Sequence, residues 1–291
     1  KRLREPWKTK NMNIIGLAGT GSRAAKYFEE FEQYKVFYID HESHGPKTTN
    51  VEKQRHPEAY EASPPDFAPL VEQLEDDDII LFVNGASYLS ALTLVLAESL
   101  KNYKITLVYI KPDTSMLNTT KKLNEKVIFN VLQEFTRSGK FERIYLFGNQ
   151  EIENIIGDLP VIGYWDKINE VIGSTVHMLN VYYNNEPIMG SIEEPAETCR
   201  ISAVGTKDLK TGEEKLFFSL DNPRESCYIY GINKDKLKES SDLLKNIKED
   251  LKSRLTETLN VSFGIFPTNY DRDIGYVVKH TSFIQNNQRQ E

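Results

Sequence analysis

Two regimes of hydrophobic patterning divide the chain. Through the first half, short apolar runs at residues 13–15, 35–39, 78–83, 105–110 and 143–147 alternate with longer mixed stretches. Continuous runs of Ile, Leu, Val and Phe are expected of strands covered on both faces. The mixed stretches predict helices at 22–31, 89–100 and 120–137, and in the last of these Leu123, Val127, Val131 and Phe135 recur every four residues. Residues 41–69 are polar and proline-rich and read as loop with one short helix. Strand and helix in alternation predict an α/β domain built on a parallel sheet.

Residues 164–184 change the pattern. Trp165, Ile168, Val171, Ile172, Val176, Leu179 and Tyr182 spread over more than one side of a helix. A helix apolar on several sides is buried between other elements, so this segment reads as a spine joining two regions. Beyond it, strands are expected at 199–204, 215–220, 226–230, 261–266 and 275–280. One long helix, 234–259, is capped by Asn233 and carries Leu237, Leu244, Ile247, Leu251, Leu255 and Leu259 on one face. The expected organisation is a flexible basic tail (1–10), an α/β domain (11–163), the central helix (164–185), a smaller α+β domain (186–284) and a polar tail (285–291).

Composition narrows the function. The 291 residues suffice for two cores, and 39% hydrophobic content suits a globular protein. A formal net charge of −7 gives no support to nucleic-acid binding, which needs clustered basic charge. Cys199 and Cys227 form no CxxC pair, which argues against a disulfide framework or a zinc site. His41 and His44 read as polar loop residues and His177 as a packed one, so no metal site is expected. No apolar run approaches the ~20 residues of a membrane span, and no signal peptide is seen, so a cytoplasmic protein is expected.

The most informative segment is Gly16-Leu17-Ala18-Gly19-Thr20-Gly21-Ser22, where the first strand breaks into a helix. Glycines permit a sharp turn, and the exposed amides of a helix's first turn attract an anion such as phosphate. Asp40 ends the second strand about twenty residues on, where a dinucleotide-binding domain places its ribose-binding acid, but the glycine register differs from G-x-G-x-x-G. No Gly-Lys-Ser/Thr follows, which excludes a Walker loop. A purely structural turn is the remaining alternative.

The order of elements resembles the tubulin/FtsZ superfamily from about residue 11 to residue 283. The glycine turn Gly16–Ser22 comes first, followed by Ile39-Asp40 at the end of the second strand. A buried strand then leads to Asn84-Gly85-Ala86-Ser87-Tyr88-Leu89-Ser90-Ala91, where the superfamily has its second phosphate loop. A strand ending in Lys111-Pro112 follows, then Leu146-Phe147-Gly148-Asn149, then Tyr164-Trp165-Asp166-Lys167-Ile168-Asn169 opening the central helix. The resemblance implies a Rossmann-like N-terminal domain, a long central helix and an α+β C-terminal domain.

It further implies GTP or GDP at Gly16, Gly19, Thr20, Gly21 and Ser22, with Asp40, Gly85, Ser87 and Ser90 nearby, and Mg accompanying the nucleotide. Asn149 and Asn169 would meet the base. Glu194 and Glu197, an acid-x-x-acid pair after the central helix, would orient water on a neighbouring subunit's nucleotide. Copies of the chain would be the partners, stacked head to tail into filaments. Three departures touch the chemistry: bulky Tyr88 and Leu89 in the second loop, Asn169 where the superfamily has Asp, and a shortened loop around Glu194. They imply weak or absent hydrolysis. A nucleotide-free structural protein of the same fold and a dinucleotide-dependent enzyme using Asp40 stay open.

Overall fold

The structure, a computed structural model, describes residues 7–286. Its strands are β1 (Met12–Leu17), β2 (Tyr34–Asp40), β3 (Thr48–Asn50), β4 (Asp78–Asn84), β5 (Lys104–Lys111), β6 (Arg143–Gly148), β7 (Met189–Ser191), β8 (Ile201–Lys207), β9 (Glu214–Leu216), β10 (Glu225–Asn233), β11 (Asn260–Thr268) and β12 (Ile274–Thr281). The helices are α1 (Ala18–Lys26), α2 (Pro57–Ala62), α3 (Ala68–Val71), α4 (Leu92–Ser99), α5 (Thr119–Arg137), α6 (Asn149–Ile156), α7 (Tyr164–Tyr183), α8 (Lys234–Glu239) and α9 (Leu243–Arg254).

All these strands join one sheet in the order β3-β2-β1-β4-β5-β6-β8-β12-β10-β11-β7, with β9 beside β8. From β3 to β8 every pairing is parallel, which explains the continuous apolar runs. Side chains alternate between two cores. Ile15, Leu81, Leu107 and Leu146 face the α2–α5 side, whereas Ile14, Phe82, Val108 and Phe147 face α1, α6 and α7.

The two halves expected from the sequence share this sheet. The ladder Ile144↔Ile201, Tyr145↔Ser202, Leu146↔Ala203 fuses them, and the β8–β12–β10 pairings beyond it are antiparallel. Helix α7 spans the seam: Ile168, Ile172, Val176, Leu179 and Tyr182 pack with Phe147 and Val204, and with Cys227, Ile229 and Phe266 of the C-terminal part. The expected spine is therefore present.

Several expectations need correction. The stretch 41–69 contains a strand and two short helices, because β3 adds to the edge at β2. The long helix expected at 234–259 is broken at Ser240–Asp242, where Ser and Asp favour a turn over a helix interior, and Leu255 is exposed. The strand expected at 215–220 shortens to β9. The helix expected at 120–137 is present as α5; Leu123 of its four-residue stripe is 62% exposed, while Phe129 and Leu132, with Asn124, Glu125, Gln133 and Thr136, are buried.

Neither tail is wholly free. Trp7 meets Tyr182 and Phe266 edge to face, each at 6.1 Å. The Asn185 amide brackets the Lys8 main chain at 3.1 and 2.8 Å, and Asn180 does the same for Lys10 at 3.1 and 2.9 Å. Residues 7–10 are thus strapped along α7, and residues 1–6 lie outside the described residues. Gln285 is buried against Gln133, so the polar tail begins after it; residues 287–291 also lie outside the described range.

Candidate functional site

The turn from β1 into α1 opens at the carboxyl edge of the parallel strands, where open α/β sheets bind ligands. Helix α1 begins with no side-chain cap and no acid in its first turn, so its leading N–H groups are left for an anion. The glycines divide by role. A Cβ on Gly16 would meet Ser22 Cα at 2.7 Å, and one on Gly21 would meet the Phe82 carbonyl oxygen at 2.5 Å, so both exist for close packing of α1 on the sheet. Gly19 has nothing within 4 Å of that position and faces open space beside half-buried Thr20. Ala18 sits at φ +61°, a left-handed conformation that glycine adopts without strain and alanine does not. Ser22 is buried, and its Oγ has no hydrogen-bond partner.

The second loop turns much of itself inward. Asn84 ties β4 to β5 by donating Nδ2–H to the Ile110 carbonyl at 2.8 Å, and its Oδ1 accepts from the Ala86 N–H at 3.0 Å. The buried Ser90 hydroxyl donates to the Asn84 carbonyl. Asn124 of α5 donates to the Gly85 carbonyl at 2.7 Å, and a Cβ on Gly85 would meet the Tyr109 hydroxyl at 2.1 Å. Tyr109 in turn donates to Glu125 at 3.0 Å; burial first, then the Glu125 charge, holds its phenol well above the usual range and protonated. Gly85 and Ser90 are thereby packing residues, while Ser87 remains half-exposed.

On the α1/α6/α7 face, Asn149 opens α6 and is 4% exposed, with Oδ1 lacking a partner. Asn169 is buried in α7, one turn from exposed Asp166. Helix α7 contacts both α1 and α6, and Gly173 lets it lie on the Tyr27 ring, where a Cβ would come within 2.5 Å. Ser22, Asn149 and Asn169 thus belong to three helices of one layer, α1, α6 and α7.

Asp40 is placed differently. One carboxylate oxygen accepts from the His41 N–H at 2.8 Å and the other lies 2.9 Å from His44 Nε2, so both oxygens are engaged within the loop. His41 itself bonds Val51 and Tyr60, and among the described residues no cluster of three or more His, Cys, Asp or Glu could hold a metal.

Glu194 and Glu197 lie at the opposite edge. They are exposed on the loop after α7 and line a cleft of about 790 Å³ with Arg143, Tyr183, Arg200 and His280. Arg143 donates to the Cys199 carbonyl at 2.9 Å and lies 3.0 Å from His280 Nδ1; burial, aided by the Arg143 charge, holds His280 well below the usual histidine range. The carboxylates therefore cannot act on the glycine turn of their own copy.

Sequence reading missed the Tyr109–Glu125–Asn124 clamp, although polar residues inside an otherwise apolar helical face were the available signal. It also missed the strained Ala18, which only the backbone reveals.

No protein-family model matches the sequence, and no relative is found among curated proteins. Solved structures do match. CetZ2 from Haloferax volcanii, solved as a GTPγS-bound protofilament, superposes with a TM-score of 0.70 at 14% identity, over 92% of each chain. A GTPγS-form protofilament of TubZ from Bacillus thuringiensis serovar israelensis gives 0.70 at 12% identity, over 94% of this chain and 86% of that one. An empty FtsZ dimer from M. jannaschii gives 0.65 at 10% identity, over 94% and 88%. The chain therefore has the tubulin/FtsZ fold over nearly its whole length.

Proposed function

We propose that this protein binds a guanine nucleotide at the β1–α1 turn and assembles head to tail with copies of itself, with weak or absent hydrolysis. The observation that carries the reading is the uncapped start of α1 with the buried, unpartnered Ser22 Oγ in that helix, joined by a second buried, unpartnered oxygen, Asn149 Oδ1, where α6 begins after β6. An unsatisfied buried polar atom costs about 1–3 kcal/mol; a phosphate oxygen could accept from the Ser22 hydroxyl and a base N–H could donate to Asn149 Oδ1. Asn149 and Asn169 would take the base, and the amides around Gly19 and Thr20 the phosphates. A bound nucleotide would bring phosphate charge with it, and Mg would accompany that charge.

Weak turnover follows from the second loop. With Ser90 and Gly85 turned inward, Ser87 and the nearby amides are left to meet a terminal phosphate. Assembly is supported by the two poles. Val161 and Ile162 are 94% exposed before α7, and Ile188 is 58% exposed after it, so apolar surface caps both ends of the spine. Stacking would set Glu194 and Glu197 of one copy over the glycine turn of the next. The structural neighbours captured as protofilaments support the same reading. Dinucleotide chemistry loses its support, because Asp40 has both oxygens engaged.

Electron microscopy with and without GTP, alongside melting curves with GTP, GDP and NAD, tests this. Nucleotide-dependent filaments and a melting shift with guanine nucleotides are expected. Absence of any shift leaves the nucleotide-free structural protein as the better account.

A further inference from the structure

The strand that fuses the two halves begins on a charge without a counterion. Arg143 opens β6 and alternates with Ile144, so it faces the α7 layer as Tyr145 and Phe147 do. Its Nη1 is engaged inside the protein, donating to the Cys199 carbonyl at 2.9 Å and lying 3.1 Å from Ser202 Oγ and 3.0 Å from His280 Nδ1. The other edge of the guanidinium, Nε–H and Nη2–H, meets no acceptor among the described residues, and none of their carboxylates ion-pairs with it. Arg254 shows that edge filled: its Nε lies 3.2 Å and its Nη2 2.9 Å from Asp250 Oδ1. A half-buried guanidinium with its fork empty is unfavourable until an anion occupies it.

Arg143 lines the cleft of about 790 Å³, a volume that suits a small molecule. The other arginine of the cleft is already answered, because Arg200 donates to the Glu142 carbonyl at 3.0 Å and lies 3.7 Å from its carboxylate. His280 adds no charge, since its Nδ1 must accept where the Arg143 N–H can only donate. Glu186, Glu193, Glu194 and Glu197 line the same cleft, are exposed, and form no ion pair among the described residues. One unpaired guanidinium therefore shares the cleft with four unpaired carboxylates. A simple anion would be repelled by the four, and a simple cation would leave Arg143 unanswered. A molecule carrying both charges satisfies both.

We infer that this cleft binds a small zwitterion, with its carboxylate on the Nε–Nη2 edge of Arg143 and its ammonium among the exposed glutamates, Glu186 and Glu193 first. The side-on fork holds a carboxylate by two parallel N–H···O bonds, a geometry that a lysine in the same place cannot reproduce. Because different residues answer the two charges, the ligand class is an extended amino acid with its amine away from its carboxylate. The site needs neither the glycine turn nor a bound nucleotide, so it does not depend on the assembly reading.

Three probes of equal chain length separate the contributions: aminohexanoate carries one charge of each sign, adipate two negative and hexanediamine two positive. Calorimetric titration of the intact, nucleotide-free protein should show aminohexanoate binding at least about tenfold tighter than either of the others. Arg143→Lys keeps the charge but loses the fork, and should weaken aminohexanoate about tenfold. Glu186→Gln combined with Glu193→Gln changes only exposed positions, so it keeps the test open if Arg143→Lys fails to fold. The double variant should weaken aminohexanoate by about the same factor and narrow its advantage over adipate. Adipate or hexanediamine binding as tightly as aminohexanoate, binding that neither variant changes, or no binding at all overturns the inference. A failure of the head-to-tail reading would instead appear as missing filaments in protein that still binds aminohexanoate.

Discussion

Gln133 and Gln285, 152 residues apart, clamp each other: the Gln285 main-chain N–H donates to Gln133 Oε1 at 2.8 Å, and Gln133 Nε2 donates to the Gln285 carbonyl at 3.2 Å. The Gln285 side chain meanwhile accepts from the Asp221 N–H at 2.6 Å and donates to the Asp221 and Phe283 carbonyls. One residue thus ties α5 of the N-terminal half to the loop before β10.

Truncating that residue removes three side-chain hydrogen bonds from a buried site. Gln285→Ala should destabilise the protein by about 2 kcal/mol, read from urea unfolding with an unchanged slope. A change under about 0.5 kcal/mol would show that the side-chain bonds of Gln285 to Asp221 and Phe283 add little to stability.

The strained residue gives the opposite sign. Ala18 holds φ +61°, and relief of a left-handed alanine is worth about 1–2 kcal/mol, less about 0.4–1 kcal/mol for the freer unfolded chain. Ala18→Gly should therefore raise stability by about 0.5–1 kcal/mol, seen as a higher melting temperature. A lower one would mean that the alanine methyl makes contacts that outweigh the strain.

The two outer roles of glycine separate binding from folding. Gly19→Trp adds a side chain into open space, so it should leave the unliganded melting temperature near wild type yet abolish the shift with GTP. For the wild type at a hundredfold excess over Kd, that shift corresponds to about 2.7 kcal/mol. Gly21→Ala drives a Cβ to 2.5 Å from the Phe82 carbonyl and should destabilise the protein without ligand. Retention of the GTP shift by Gly19→Trp would place the nucleotide elsewhere.

Stability should fall in two acid windows. His280 is kept neutral by burial and by Arg143, so its folded pKa lies below 6.5. The unfolded chain takes up that proton first, and stability declines as pH falls below about 6.5. Glu214 follows lower down. Burial opposes its ionisation, but hydrogen bonds from Lys279 and Tyr228 and the charges of Lys279 and Arg254 prevail, so its pKa is lowered from 4.5. The stability it contributes is present above 4.5 and is lost as pH falls through the depressed folded value. Urea midpoints across pH should show both slopes; His280→Gln should flatten the upper one alone, and an unchanged upper slope would assign it to another group.

How much was legible beforehand differs by element. The strands at 78–83 and 105–110 were readable because burial on both faces leaves little but Ile, Leu, Val and Phe. The spine at 164–184 was readable because a helix packed on several sides cannot hide its composition. The glycine turn was readable as a turn, since close packing of α1 on β4 admits no Cβ at Gly16 or Gly21.

The orientation of α5 was not readable. Period four fixes that Leu123, Val127, Val131 and Phe135 share a face, but not whether that face looks inward. The other side was buried because Phe129 and Leu132 join the core and Asn124, Glu125 and Gln133 between them find partners from residues 85, 109 and 285, which no local pattern encodes. The same holds for Ser90, whose hydroxyl could serve a phosphate until Asn84 is seen beside it, and for Asp40, answered by His44 across the loop. Local periodicity and backbone sterics set the elements and their order from the sequence alone. Which polar groups remain free for chemistry was decided only in three dimensions, because hydrogen-bond partners are assigned by proximity in space rather than along the chain.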